Sequence, residues 1–336
     1  MKRYGHGLVP GAFHPPHAGH HHLVRTARDR CERLTVVVRG SASDTPPLEQ
    51  RVAWMREIHP DVLVVGAGAE DVYAGPERVD AVFVAEPHPS ESHPSEPYPS
   101  EPYPLGAYGA ETGAETVLVH PEHALSDTAV REDPAAFWDF LEPSVRSALT
   151  RRVVVLGAER TGVTTMALAL ADHYRRRGGV WARTRYVPDH ARAYGGPALA
   201  ELRSSDFPVI AQGQAEREEA AARDGSPVLL CDTDAFAAAI RHERYTGTTS
   251  TATAAVAAHG RQHLWLLTDH RGVDCADADR LRPWMTARLL TQLTRTGRRT
   301  AVLTGPHEER LAAAVAAVDA LLAEGPHLTE PLPELR

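Results

Sequence analysis

The chain has 336 residues, 43% of them hydrophobic and 24% charged, which supplies ample material for a packed core and exceeds the length of one ordinary domain. Its net charge of −8 argues against a general attraction to polyanions, so nucleic acid is not an expected partner. No apolar run of signal-peptide or membrane-span length opens the sequence, and Cys31, Cys231 and Cys275 lie far apart without metal-ligand spacing; the expectation is a cytoplasmic protein with reduced thiols and no membrane partner.

Taken from the amino terminus, apolar and β-branched runs at Gly7 to Pro10, Leu34 to Arg39, Val62 to Val65, Ala81 to Val84 and Thr116 to Val119 read as strands, with His20 to Arg30 and Leu48 to His59 as helices between them. This alternation predicts an α/β fold with a parallel sheet covered on both faces, whose ligands collect at the carboxyl ends of the strands. Residues 86–104 interrupt it with a near-repeat of His-Pro-Ser-Glu and Tyr-Pro-Ser-Glu units, read as a Pro-rich surface insertion, because proline at that density removes backbone donors and favours extended chain. A second alternating unit begins at Arg151. Its strands are expected at Val153 to Gly157, Val228 to Asp232, Leu264 to Thr268 and Thr300 to Thr304, and its helices at Thr164 to Arg176, Thr233 to Tyr245, Trp284 to Thr296 and His307 to Ala323. Two parallel-sheet domains are therefore expected, at 1–145 and 151–325, with the boundary near Pro143 to Thr150.

Between the first strand and first helix stands Gly11-x-Phe13-x-Pro15-x-His17-x-Gly19-His20. Glycine lets backbone approach a ligand, a helix start offers free N–H groups, and two histidines can donate to phosphate oxygens. Donors aimed at charge developing on an α-phosphate would favour nucleotidyl transfer, with no side-chain base required when the acceptor is itself a phosphate. The bland alternative is a His-rich turn, since His21 and His22 follow and the chain holds 19 histidines.

Leu125-Ser126-Asp127-Thr128-Ala129-Val130-Arg131, after the strand ending at Val119, resembles the Ile-Ser-x-Thr-x-Ile-Arg motif of the nucleotidyltransferase superfamily, which implies that Ser126, Thr128 and Arg131 hold a triphosphate. Alone it would be a common helix cap beside a solvent-facing arginine. Arg51-x-x-Trp54 resembles a helix of the same superfamily, in which Arg51 reaches phosphate; a surface arginine beside a core tryptophan fits equally. His14 stands where that superfamily commonly has Asp or Asn.

These motifs, followed by Arg131 to Leu141 and a loop similar to a P-loop, resemble the bifunctional NadR family. The resemblance implies a Rossmann-like nucleotidyltransferase domain joined to a P-loop kinase-like domain, working in NAD synthesis or salvage. It implies adenylyl transfer from ATP to nicotinamide mononucleotide, with His17, His20 and Arg131 catalytic, Gly11, Phe13, Gly19, Arg51, Ser126 and Thr128 binding nucleotide, and Mg²⁺ as cofactor. The competing readings are a transferase acting on another phosphate acceptor, such as phosphopantetheine, and a non-catalytic nucleotide-binding regulator; the segment from Gly66 to Asp80 is short and lacks a tryptophan-bearing helix to stack a nicotinamide ring, so the acceptor base rests on the family resemblance. The sequence opens directly on the first strand, so no DNA-binding helix-turn-helix is expected. A homo-oligomer is left open.

The second domain departs from the family pattern. Gly157-Ala158-Glu159-Arg160-Thr161-Gly162-Val163-Thr164-Thr165 keeps the P-loop glycines and hydroxyls, but Val163 replaces the phosphate lysine, and Lys2 is the only lysine in the chain. Arg185 stands before Tyr186 where an acidic residue is usual in the motif running to Arg192. By resemblance Asp232 and Asp234 suit Mg²⁺ or substrate, Thr164 and Asp232 would hold Mg²⁺, Gly157, Gly162, Thr164 and Thr165 bind phosphate, and Arg282, in Asp279-Arg280-Leu281-Arg282, is a lid arginine. Two readings follow: a kinase for nicotinamide riboside with rearranged charges, or, favoured here, a degenerate kinase.

Overall fold

The computed structural model describes residues 2–40, 44–68, 78–86, 113–123, 125–194, 202–271 and 281–325. The Pro-rich insertion beyond Glu86, and Cys275, Asp279 and Arg280, lie outside them. The chain divides after Val145 into two compact units.

In the first unit the chain runs β1 (Tyr4–Gly11), α1 (Ala18–Arg30), β2 (Cys31–Arg39), α2 (Leu48–Ile58), β3 (Leu63–Ala67), β4 (Ala81–Ala85), β5 (Glu115–Val119) and α3 (Asp127–Glu132). The strands form one parallel sheet in the order β3-β2-β1-β4-β5. Side chains alternate across it, so Leu8, Val37, Val82 and Val84 fill one face while Val9, Val36, Val38 and Phe83 pack with Val24 and Met55 on the other. Burial on both faces of β1, β2 and β4 explains why these inner strands are nearly continuous apolar runs, whereas the edge strands β3 and β5 are partly exposed. The order reverses at β1, because the chain leaves β3 at one edge and returns to β4 on β1's far side. That reversal opens a crevice at the carboxyl ends of β1 and β4, where open α/β sheets bind ligands.

A short helix α4 (Pro143–Leu149) leads to the second unit, which runs β6 (Arg151–Gly157), α5 (Val163–Arg175), β7 (Arg185–Val187), α6 (His190–Ala193), α7 (Asp206–Asp224), β8 (Val228–Asp232), α8 (Ala235–Thr246), α9 (Thr251–Ala258), β9 (Leu264–Thr268), α10 (Arg282–Arg295), β10 (Thr300–Leu303) and α11 (His307–Ala323). Its sheet is again parallel, ordered β10-β9-β6-β8-β7. Val153, Val155 and Leu230 pack on one face with Met166, Leu170 and Val318, and Val154, Leu156 and Cys231 on the other with Phe236 and Leu289. The loop after β6 and the end of β8 are therefore neighbours.

Several boundaries differ from expectation. β2 starts at Cys31 rather than Leu34, since Cys31 both caps α1 and pairs with Tyr4, while exposed Glu32 and Arg33 hide the strand's beginning. The helix expected from Thr233 starts at Ala235, because Thr233 has φ of 77° and Asp234 caps the helix. α7 was not anticipated: Pro208 in its first turn and Gly213 in its middle resemble breaks. Gly213 is there for packing, since a Cβ would lie 2.2 Å from the His190 ring. Among the described residues, no helix is long and apolar enough to cross a membrane.

Candidate active site and phosphate loop

The first site is built on the turn that leaves β1. Phe13 takes φ of 51° and is wholly buried, its ring meeting that of His20 at 5.0 Å with an interplanar angle of 65°. A Cβ on Gly11 would lie 2.9 Å from the Phe13 ring, so the position requires glycine. Phe13, expected to touch nucleotide, packs its buried ring against His20.

His17 caps α1. Its Nδ1 accepts the Gly19 backbone N–H at 3.2 Å, and its own backbone N–H donates to His20 Nδ1 at 3.4 Å. A Cβ on Gly19 would lie 3.1 Å from His17 Cε1, which accounts for the glycine between the histidines. A neutral imidazole that accepts at Nδ1 carries its proton on Nε2. Both rings therefore present Nε2–H donors, and both converge on one carboxylate: His17 reaches Asp127 Oδ1 at 2.7 Å and His20 reaches Oδ2 at 3.2 Å. Burial and the neighbouring His20 push His17 down to about 4, against the opposing pull of Asp127, so His17 is neutral at physiological pH. Burial alone would raise Asp127, but the two histidine rings that donate to it outweigh burial and hold the carboxyl well below its usual range.

The ligand atoms of His17, His20 and Asp127 lie within 4.8 Å of one another, close enough for a metal ion. The ring geometry does not fit one. A histidine bound through Nε2 donates an Nδ1–H, whereas both Nδ1 atoms here face backbone N–H groups. This is a pair of donors aimed at an oxyanion.

On α3, Ser126 Oγ caps the helix by accepting the Ala129 N–H at 3.4 Å, and Arg131 Nη2 donates to Thr128 Oγ1 at 3.4 Å. Asp127, the residue between Ser126 and Thr128, thus brings this segment to the histidines. His14 Nε2 donates to the Thr45 carbonyl, and burial, aided by the charges of Arg51 and Arg131, lowers its pKa. Arg51 corrects the expectation of phosphate contact. It is wholly buried, its Nη1 donating to the Ala12 and Arg39 carbonyls at 2.6 and 2.8 Å, its Nε to Pro46 at 3.0 Å and its Nη2 to Asp44 at 2.6 Å. It clamps the loops after β1 and β2.

In the second unit the loop after β6 has the P-loop shape. Arg160 and Gly162 take φ of 62° and 87°, and a Cβ on Gly157 would lie 2.4 Å from Thr161 Oγ1. Val163 opens α5, and Thr165 is exposed. Thr164 Oγ1 donates to Asp232 Oδ2 at 2.5 Å and the Tyr186 hydroxyl donates to the same oxygen at 3.1 Å, while buried Asp232 Oδ1 has no partner. A carboxylate with one oxygen left open among the described residues, beside a loop hydroxyl, suits Mg²⁺.

Asp234 is a second correction. Wholly buried, it accepts the Ala237 N–H at 2.9 Å and the Trp265 Nε1–H at 2.9 Å, so it caps α8 and is withdrawn from any ligand. Arg282 is buried, with Nε and Nη2 unpartnered among the described residues. Arg185 pairs with Asp224 at the surface. Sequence reasoning gave no role to Asp127, nor to Glu159, which ties the P-loop to α8 through Arg244 and the Tyr245 hydroxyl.

Residues 152–310 match the family model AAA_28, described as an AAA domain. The chain is 27% identical over 253 residues to the "Trifunctional NAD biosynthesis/regulator protein NadR" of Salmonella typhimurium (strain LT2), which covers 68% of this chain and 60% of that protein. The chain thus spans about 60% of the length of the curated relative it matches. Two solved structures share its fold over the full length of both chains at 18% identity: a NadR protein in complex with NR, with a TM-score of 0.71, and a NadR protein in complex with NAD and AMP-PNP, with a TM-score of 0.69.

Proposed function

Because the chain is homologous to NadR, we propose that its first unit is a nicotinamide-nucleotide adenylyltransferase, transferring AMP from MgATP to nicotinamide mononucleotide to give NAD and pyrophosphate. The observation that carries this reading is the convergence of two Nε2–H donors, fixed in tautomer by the backbone, on one oxyanion position after β1. In the reaction a phosphate oxygen of the mononucleotide attacks the α-phosphorus of ATP. The bond from that phosphorus to the α,β-bridging oxygen breaks, and pyrophosphate leaves with the electron pair. The attacking oxygen is already ionised, so neutral histidines suffice: they donate to non-bridging α-phosphate oxygens as charge builds there. Ser126, Thr128 and Arg131 would hold the β- and γ-phosphates, the arginine through its planar fork.

The acceptor is chosen from the relatives, since the similar NadR proteins were solved with NR and with NAD plus AMP-PNP. Pyrophosphate release from MgATP, measured with nicotinamide mononucleotide and with phosphopantetheine, tests it. Release with the first alone is expected; release with the second alone would overturn the acceptor, and release with neither the activity. Both substrates are cytoplasmic metabolites, which is where we place the reaction.

In the second unit Thr164 and Asp232 would hold Mg²⁺, which supplies charge neutralisation between β- and γ-phosphates when bound. The loop backbone can cradle a nucleotide, and Arg282, the first residue of α10, has donors without a partner among the described residues. Val163 removes the lysine that bridges the β- and γ-phosphates, and Arg185, engaged with Asp224, cannot act as a base. This unit binds nucleotide and phosphorylates nicotinamide riboside poorly or not at all.

A further inference from the structure

Asp127 occupies the place that the proposed mechanism reserves for substrate. The two Nε2–H groups that should meet a phosphate oxygen are satisfied by its carboxylate oxygens, at 2.7 Å from His17 and 3.2 Å from His20. The carboxylate is about half exposed, whereas the His17 ring behind it is 3% exposed, so Asp127 closes the pair from the solvent side. Its side chain has no capping duty, because Ser126 supplies the cap of α3. It is therefore free to turn outward without unwinding the helix.

Resting on the adenylyltransferase reading, we propose that Asp127 is an anion placeholder: its carboxylate fills the oxyanion position between His17 and His20 and is displaced by the nucleotide phosphate. While in place it keeps both rings in the donor tautomer and aimed at one point, so substrate exchanges one anion for another and finds the donors already oriented. It also competes. A site that is open only a fraction of the time binds with an apparent affinity reduced by that fraction. A metal ion is not the occupant, because both Nδ1 atoms accept from backbone N–H groups.

The experiment is a titration of the full chain with inorganic pyrophosphate, following the ¹⁵N signals of His17 and His20 by NMR so that binding in the second unit does not contribute. In Asp127→Ala the apparent Kd read from these signals should fall about tenfold, as expected if the parent site is open about one tenth of the time, with Asp127→Asn between variant and parent. An unchanged or higher Kd in both folded variants would overturn the proposal. Should the variants not fold, the parent decides: pyrophosphate saturation should move the Asp127 carboxyl-carbon signal toward that of a solvated aspartate, and an unmoved signal while both histidines shift would sink the idea. Zn²⁺ binding at these rings, lost in Asp127→Ala, would make Asp127 a metal ligand instead. The titration needs no turnover. An affinity gain without adenylyl transfer would leave the placeholder standing and remove the functional reading, and the reverse would remove the placeholder alone.

Discussion

At the scale of single residues, the first site is rigid because backbone, not solvent, sets its histidines. His17 and His20 each spend Nδ1 on a main-chain N–H, so neither ring can flip without breaking a cap of α1. Replacing either by alanine should lower kcat/KM for adenylyl transfer by about 10²–10³-fold, the usual cost of one oxyanion donor, and a pyrophosphate-release assay on folded variants measures it. Equal activity in a His17→Ala/His20→Ala double variant would remove both from the chemistry. Arg51 predicts the opposite pattern. Its guanidinium supports three carbonyls and Asp44 in a dry setting, and truncating one member of a buried ionic cluster costs about 3–5 kcal/mol. Arg51→Ala should therefore shift the urea midpoint of the first unit strongly. A variant as stable as the parent, but with a raised KM for ATP, would return Arg51 to the phosphates.

At the scale of elements, α1 carries a stretch of histidine that is partly core. His21 is buried on α1's inner face, its Nδ1 3.0 Å from Nε2 of buried His59 at the end of α2. Burial and the neighbouring His59 push His21 down to about 2, and burial and Arg25 push His59 down to about 4. In the unfolded chain both titrate near 6.5. Between pH 6.5 and 4 the unfolded state thus binds more protons than the folded one, so stability is full above pH 6.5 and is lost as pH falls through that window. At ~1.36 kcal/mol per pH unit for each proton, the loss across that window is on the order of a few kcal/mol for the pair. Calorimetric melts of the parent from pH 7.5 to 4.5 should show a falling first-unit transition, with a shallower slope in His59→Asn; a flat profile would contradict the buried neutral pair. The same element shows what sequence could and could not reveal. The alternation of strand and helix, and the His17, Gly19 and His20 spacing, were readable because period and turn chemistry are local. Asp127's meeting with His17 was not, since the partners lie 110 positions apart and join only once β4 has paired with β1 and β5 with β4, returning the chain to the same end of the sheet. Arg51 and Asp234 misled for a related reason: a charged residue in a motif-like run looks exposed until packing fixes which face is inward.

At the scale of the whole molecule, each sheet reverses its strand order beside the strand that carries its phosphate loop, so each unit presents one crevice in the same relation to its sheet. What differs is the charge brought there. The first unit supplies two Nε2–H donors and Arg131; the second supplies the Thr164–Asp232 pair and Arg282, with Val163 where a cation would bridge the phosphates. The two units should then separate cleanly by substrate. Full-length protein with MgATP is expected to make NAD from nicotinamide mononucleotide but, from nicotinamide riboside, at least about 100-fold more slowly, since one lost transition-state donor is worth about 3 kcal/mol. Val163→Lys restores the missing charge at the first residue of α5. Its ammonium can reach phosphates cradled by the loop while Thr164 and Asp232 remain in place. The variant should gain riboside phosphorylation while leaving the mononucleotide rate unchanged, read by separate product analysis for each substrate. If the parent already phosphorylates the riboside as fast as it adenylylates the mononucleotide, another residue is carrying the lysine's charge. An exchange of Arg160 or Arg282 for glutamine would then identify which arginine does so.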